Sequence, residues 1–139
     1  MSPTPRAAGL LVAVAALALV LTGPIAALLA LAVLTGIVVD ALQARAHPVF
    51  RSTFPPFLAR GVAAPFTVAT ETDLPGAGRL RQAAVPDIRV EPQEGGGQLA
   101  GTLTATRRGR HVLPPPALRA EGPLGLGCWY HRGTEPAEL

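Results

Sequence analysis

Residues 7–39, AAGLLVAVAALALVLTGPIAALLALAVLTGIVV, contain no charged side chain, and their reading decides the architecture of the chain. A membrane-spanning helix needs about 20 apolar residues, at about 1.5 Å each, to cross a hydrocarbon core of about 30 Å. One helix over 7–39 would be about 50 Å long, more than an ordinary span uses. Gly23 and Pro24 interrupt the run with a turn-forming dipeptide that also removes a helix hydrogen bond. The sequence therefore predicts two short spans, 7–22 and 25–39, folded as a helical hairpin with Thr22, Gly23 and Pro24 at its corner. Each half measures about 22–24 Å, so local thinning of the bilayer and snorkelling by Arg6 would complete the fit. A single long, tilted or Pro-kinked helix is the alternative. Small residues recur at four-residue spacing, as in Gly9 with Ala13 and Ala32 with Gly36. They permit close helix packing, but so alanine-rich a segment produces such pairs by chance.

The lead-in, residues 1–6, carries one arginine, and the apolar run is far longer than the core of a secretory signal peptide. Arg6 precedes the first span, Arg45 and Arg51 follow the second, and the corner is uncharged. The positive-inside rule then places both termini in the cytoplasm, and a single span gives the same side for the C-terminal region. Asp40, where the second span ends, is expected at the membrane interface, solvated by water.

Beyond Val39 stand eleven arginines and nine acids, a balance of only +2. All twelve basic residues are arginine, a bias that fits a GC-rich genome more readily than a function. The arginines cluster only at Arg107, Arg108 and Arg110. That group has no aromatic stacking platform beside it, which argues against nucleic acid as a partner and leaves it as a candidate interaction surface. The one cysteine, Cys128, excludes an intrachain disulfide framework.

Helix extends by a turn or two past Asp40 until Pro48 disfavours it, so 41–48 reads as a linker. From there the periodicity is that of short strands. They are predicted at 49–54, at 65–72 with Phe66 and Val68 on one face, at 80–85 and at 88–91. The clearest is 98–106, where Leu99, Gly101, Leu103 and Ala105 alternate with polar or small residues. Further strands fall at 112–113 and 118–121. Leu74–Gly78 is a turn cluster, Pro86 and Asp87 a bend, residues 93–97 (QEGGG) a flexible loop, and 107–110 a tight turn. Strands at such regular spacing, without helical periodicity, predict a small antiparallel β-sandwich over 49–131, followed by a tail at 132–139. With few aromatic residues its core is light, so the domain would be marginal alone.

Catalytic signatures do not emerge. Cys128 and His131 have the spacing of a metal pair, but zinc takes four ligands and His47 and His111 lie on unrelated segments; a buried thiol and a strand-end imidazole account for them. The glycines at 95–97 and the run GPLGLG at 122–127 lack the strand–helix context and the lysine of a phosphate loop, and read as turns. Glu71, Asp73, Glu91 and Glu94 fall at strand ends and in loops as solvated acids. The residues thus predict no enzyme, cofactor or metal site, and no small-molecule substrate.

The order of parts resembles a bacterial family. A basic, proline-containing start (TPRAAGLL) leads into the apolar run broken at Gly-Pro; Val49, Phe50 and Arg51 follow, then Arg60-Gly61, then TATRRGRHVLPPPALRAEGPLGL at 104–126. This is similar to the N-terminal portion of the family called domain of unknown function fifty-eight. In that family a strand ending in Arg-Arg-Gly-Arg precedes a second strand and a Pro-Phe/Leu-Gly-Leu turn. Here these are residues 107–110 and 123–126, with Gly122 and Glu121 where relatives often carry Asp before the proline. The resemblance implies an Ig-like sandwich behind a membrane hairpin, a further von Willebrand factor A-like domain beyond Leu139, and association with MoxR-type AAA+ ATPases. The expectation is a membrane-anchored α + β protein, a non-enzymatic scaffold at the inner membrane. The alternative is an accessory subunit of a membrane transporter or membrane enzyme, which the absence of ionisable residues within the spans weakens.

Overall fold

The computed structural model describes residues 2–20, 23–71, 73–74 and 76–139. Its elements in chain order are β1 (Ser2–Pro3), α1 (Pro5–Leu17), α2 (Gly23–Gln43), β2 (Phe50–Thr53), β3 (Ala63–Thr70), β4 (Gly78–Arg81), β5 (Ile88–Glu91), β6 (Glu94–Gly95), β7 (Gln98–Ala105), β8 (Val112–Leu113), β9 (Ala117–Glu121), β10 (Gly127–Arg132) and β11 (Ala137–Glu138). They form two compact units. The first holds residues 1–46, 75–77 and 120–129; the second holds 47–74, 78–119 and 130–139.

In the first unit, α1 opens earlier than hydropathy alone predicts. Thr4 is its N-cap, accepting a hydrogen bond from the Ala7 N–H, and Pro5 stands in the first turn. A helix's first N–H groups have no intrahelical partner, so proline costs nothing there. The same reason overturns the expected corner at Gly23 and Pro24: both lie inside α2, in its opening turn. Residues 18–20 after α1 form turns, with Leu19 and Val20 donating to the Ala16 and Leu17 carbonyls. Leu21 and Thr22, where the first span was expected to end and the corner to begin, lie outside the described residues. At the α-helical rise, α1 is about 20 Å long and α2 about 32 Å. The two predicted spans of similar length are therefore replaced by one helix long and apolar enough to cross a bilayer, α2, and one shorter apolar helix. α2 continues to Gln43 because nothing before Pro48 stops it.

α1 lies against α2. The start of α1 and the end of α2 both bond the same loop at 122–127, so the helices run in opposite directions. α2 buries only a narrow stripe, Ile37, Asp40 and Ala41. That is the i, i+3, i+4 spacing of one helix face. Ala26, Ala30, Val33 and Gly36 are half-buried, and the leucines point outward: Leu28 is 68% exposed and Leu31 60%.

The second unit is built on a four-stranded antiparallel sheet in the order β2-β3-β7-β5. The expected alternation holds. Phe66 and Val68 of β3 are buried, as are Leu99, Leu103 and Ala105 of β7 and Ile88 and Val90 of β5. Successive strand side chains point to opposite faces, so these residues line one side of the sheet. Phe54 stacks on Phe66 with ring centroids 6.0 Å apart.

The QEGGG segment, expected as a free loop, instead contributes β6, which pairs with β4 through Leu80↔Gly95 and Arg81↔Glu94. Gly95 fits there because it lies against Leu99, whose side chain a Cβ would meet at 3.1 Å. β4 ends at Arg81, well short of the predicted 85, and Gln82 is wholly buried with its amide donating to the Pro114 carbonyl at 2.9 Å. Asp87 takes the bend after Pro86 with φ +67, closed by the Val85 to Ile88 bridge. The segment 132–139, expected as a tail, supplies β11, which pairs antiparallel with β8. Thr72 and Pro75, parts of a predicted strand and turn, lie outside the described residues.

Two further strands complete the fold, β1 in the basic lead-in, which the sequence does not predict, and β10, of which the sequence predicts only an end near His131. In the first unit they pair antiparallel, Ser2 with Cys128 and Pro3 with Gly127. Residues 120–129, expected inside the sandwich, belong to the helical unit.

Leu103 is fully buried at the centre of the four-stranded sheet. Leu103→Ala should lower the stability of the second unit by about 2–5 kcal/mol, measured by denaturant unfolding. Ala100→Ser, on the exposed face of the same strand, should stay within about 0.5 kcal/mol of the parent.

Candidate functional site

Asp40 is the one ionisable residue α2 carries, and it is wholly buried. It is therefore not solvated by water, as the sequence predicts, but enclosed by protein. Its carboxylate accepts three backbone N–H bonds from one loop: Leu124 to Oδ1 at 2.7 Å, Leu126 to Oδ2 at 2.6 Å and Gly127 to Oδ2 at 2.8 Å. These are lengths of charge-assisted hydrogen bonds. An acid in the last turn of a helix opposes the helix dipole by about 0.3–1 kcal/mol. Three bonds to a charged acceptor, each contributing about 1.5–3 kcal/mol, outweigh that.

The loop at 122–127 offers those donors because its own backbone is closed first. The Gly125 N–H bonds the Gly122 carbonyl at 2.9 Å, and the Gly122 N–H bonds the Gly127 carbonyl at 3.1 Å. The amides left over converge as an anion-binding nest. Thr4 takes the outward carbonyls: its hydroxyl donates to Gly125 at 2.6 Å and its N–H to Leu126 at 3.0 Å. Nearly all of the loop's backbone polar groups thereby find partners, as burial demands.

Glycine is required at two of these positions by close approach. A Cβ on Gly122 would fall on the Asp40 carboxyl and main-chain carbonyl, and one on Gly127 would lie 2.7 Å from the Ala41 nitrogen. The run GPLGLG is a turn, as expected, but a turn shaped around a carboxylate. Sequence reasoning missed this site. The signals were present: a lone acid closing an apolar helix must find donors, and a glycine-spaced loop supplies them.

The predicted interaction surface lies in the second unit. Arg107, Arg108 and Arg110 are all exposed, in a bend rather than a tight turn. The structure does not leave them equivalent. Arg107 pairs with Asp87 at 3.6 Å, and Arg110 pairs with Glu138 of β11. Such exposed pairs contribute about 0–1 kcal/mol each. Among the described residues no ion pair of Arg108 is seen.

Cys128 is buried in the first unit, and its thiol donates to the Ser2 carbonyl at 3.3 Å. In the second unit the rings of His47 and His131 meet edge to face, 6.0 Å between centroids. Among the described residues no three His, Cys, Asp or Glu side chains come together as metal ligands.

No protein-family model, curated protein or solved structure matches this chain.

Asp40→Asn puts an amide NH2 where the loop presents donors. It should weaken the first unit by about 3 kcal/mol or more. Hydrogen exchange at the Leu124, Leu126 and Gly127 amides should accelerate, while exchange within β3 and β7 stays unchanged. Thr4→Val, which removes the cap and the clamp while keeping the shape, should cost about 1–2 kcal/mol in the same assay.

Proposed function

We propose that this chain is a membrane-anchored, non-enzymatic module in which α2 crosses the bilayer and the second unit, read as a small Ig-like sandwich, serves as an assembly surface on the cytoplasmic side. The observation that carries the reading is the combination on α2. Between Gly23 and Val39 it has no ionisable side chain, its leucines face outward, and its one acid is withdrawn into a nest at the end. A helix buried in a soluble core would hide those leucines, and a helix in water would not leave them bare. Orientation follows from Arg6 and Arg45. Thr4 and Asp40 hold the start of α1 and the end of α2 to one loop, so the flanking arginines share one end of the hairpin, which the positive-inside rule assigns to the cytoplasm.

α1 is short for a full crossing and supports α2 from one side. The resemblance to the domain of unknown function fifty-eight family supplies the partner in this proposal, a MoxR-type AAA+ ATPase, with the bend carrying Arg107, Arg108 and Arg110 as the place to begin mutating. The reading as an accessory subunit of a transporter is less well supported, because transport through the spans would call for polar groups inside them.

Two experiments test this. The chain should stay in the membrane fraction through alkaline carbonate extraction. Leu28→Arg with Leu31→Arg, each at a cost of about 2.5–3.5 kcal/mol near a span's centre, should release it; unchanged partition would overturn the anchor. Co-purification from mild detergent should recover the ATPase with the parent chain and less of it with Arg108→Glu. Recovery indifferent to the second unit would remove that unit as the assembly surface.

A further inference from the structure

The first unit carries an exposed leucine at a fixed depth. Leu124 is 62% exposed, yet its own N–H is bonded to the Asp40 carboxylate at 2.7 Å. Asp40 lies about 26 Å along α2 from Gly23, close to the thickness of a hydrocarbon core. The side chain of Leu124 is therefore held at the level where a spanning α2 would leave the acyl region. Pro123 beside it is exposed as well, and Leu42, one turn from Val38 and Val39 on α2, is 53% exposed. Just past the helix, the Arg45 guanidinium lies over the Trp129 ring, 5.6 Å from its centroid. Aromatic and arginine side chains at that level are the usual anchors of a membrane–water boundary. Arg6 and Glu121 flank Gly125 on the same loop, so the polar groups there are of both signs and set no preference for anionic lipid.

We propose that the loop at 122–127 is a lipid-contacting wedge, with Leu124 seated at the boundary between headgroups and acyl chains of the bilayer that α2 crosses. This rests on the membrane reading of α2. The bonded geometry favours lipid as the occupant over a second protein: the depth of the loop is set by the spanning helix itself, through three hydrogen bonds. The nest then does two things at once, supplying hydrogen-bond donors to a buried acid at the membrane edge and holding an apolar side chain down against the lipid.

The test uses the full chain reconstituted in phosphatidylcholine vesicles. An environment-sensitive fluorophore is attached at Leu124→Cys, or separately at Leu28→Cys, each with Cys128→Ser to remove the native thiol while keeping a donor for the Ser2 carbonyl. Lipids carrying a nitroxide at a shallow or a deep acyl position serve as quenchers. The label at 124 should be quenched more by the shallow nitroxide, and the label at 28 more by the deep one. Quenching at 28 with none at 124 overturns the wedge and leaves the anchor standing, the loop then being covered by protein or water. Quenching at neither position overturns both. A second readout keeps Cys128: Leu124→Trp should add emission that brominated acyl chains quench beyond the quenching of Trp129 in the parent, and no added quenching would overturn the wedge independently.

Discussion

A buried carboxylate with three amide donors is the constraint on which the first unit depends. Asp40 cannot be left unpaired at the end of an apolar helix, because burying an ion without partners costs several kcal/mol. It cannot reach water either, since the 122–127 loop covers it. The loop in turn keeps its shape only because Thr4 satisfies its outward carbonyls, and Thr4 is placed by the start of α1. Helix end, loop and N-terminus are three parts of one hydrogen-bonded arrangement, and each would be under-satisfied without the other two. The narrow apolar stripe on α2 adds packing beneath it, but the polar contacts give the arrangement its specificity.

The second unit is held together differently. Its order comes from period-two burial, with Phe66, Val68, Leu99 and Leu103 facing one way along paired strands. No single interaction dominates there. The surface ion pairs around Arg107 and Arg110 decorate this core without holding it, and their arginines are half committed to neighbouring acids. Any partner recognised through that bend meets a surface on which Arg108 is the arginine not engaged in such a pair among the described residues.

Much of this was legible in the sequence, and what was not has a common cause. The apolar run, the strand alternation of β7 and the bend at Asp87 are local patterns, and they read correctly. The helix boundaries did not. Gly23 and Pro24 look like a corner, yet a helix's first turn accepts both, and the Thr4-Pro5 cap was overlooked as a start signal. Strands β1, β6 and β11 are two residues each, too short for any periodicity, and exist only because a partner strand lies opposite. The Asp40 nest depends on residues more than eighty positions apart. Nothing within a window of Asp40 reveals which amides will meet it; only the glycine spacing at 122, 125 and 127 hinted that some backbone would come close.

The pairing of Ser2 with Cys128, and of Thr4 with residues 125 and 126, has a consequence for how the protein is made. The chain emerges from the ribosome N-terminus first, and closing so long a loop carries an entropic cost that no local contact offsets. The apolar helices are synthesised long before the residues that clasp them. Helix formation and locking are therefore separate events in time. Until residues 122–128 arrive, Asp40 has no nest, and its three amide partners do not yet exist. The clasp is the last part of the first unit to be made, so the two helices must persist without it.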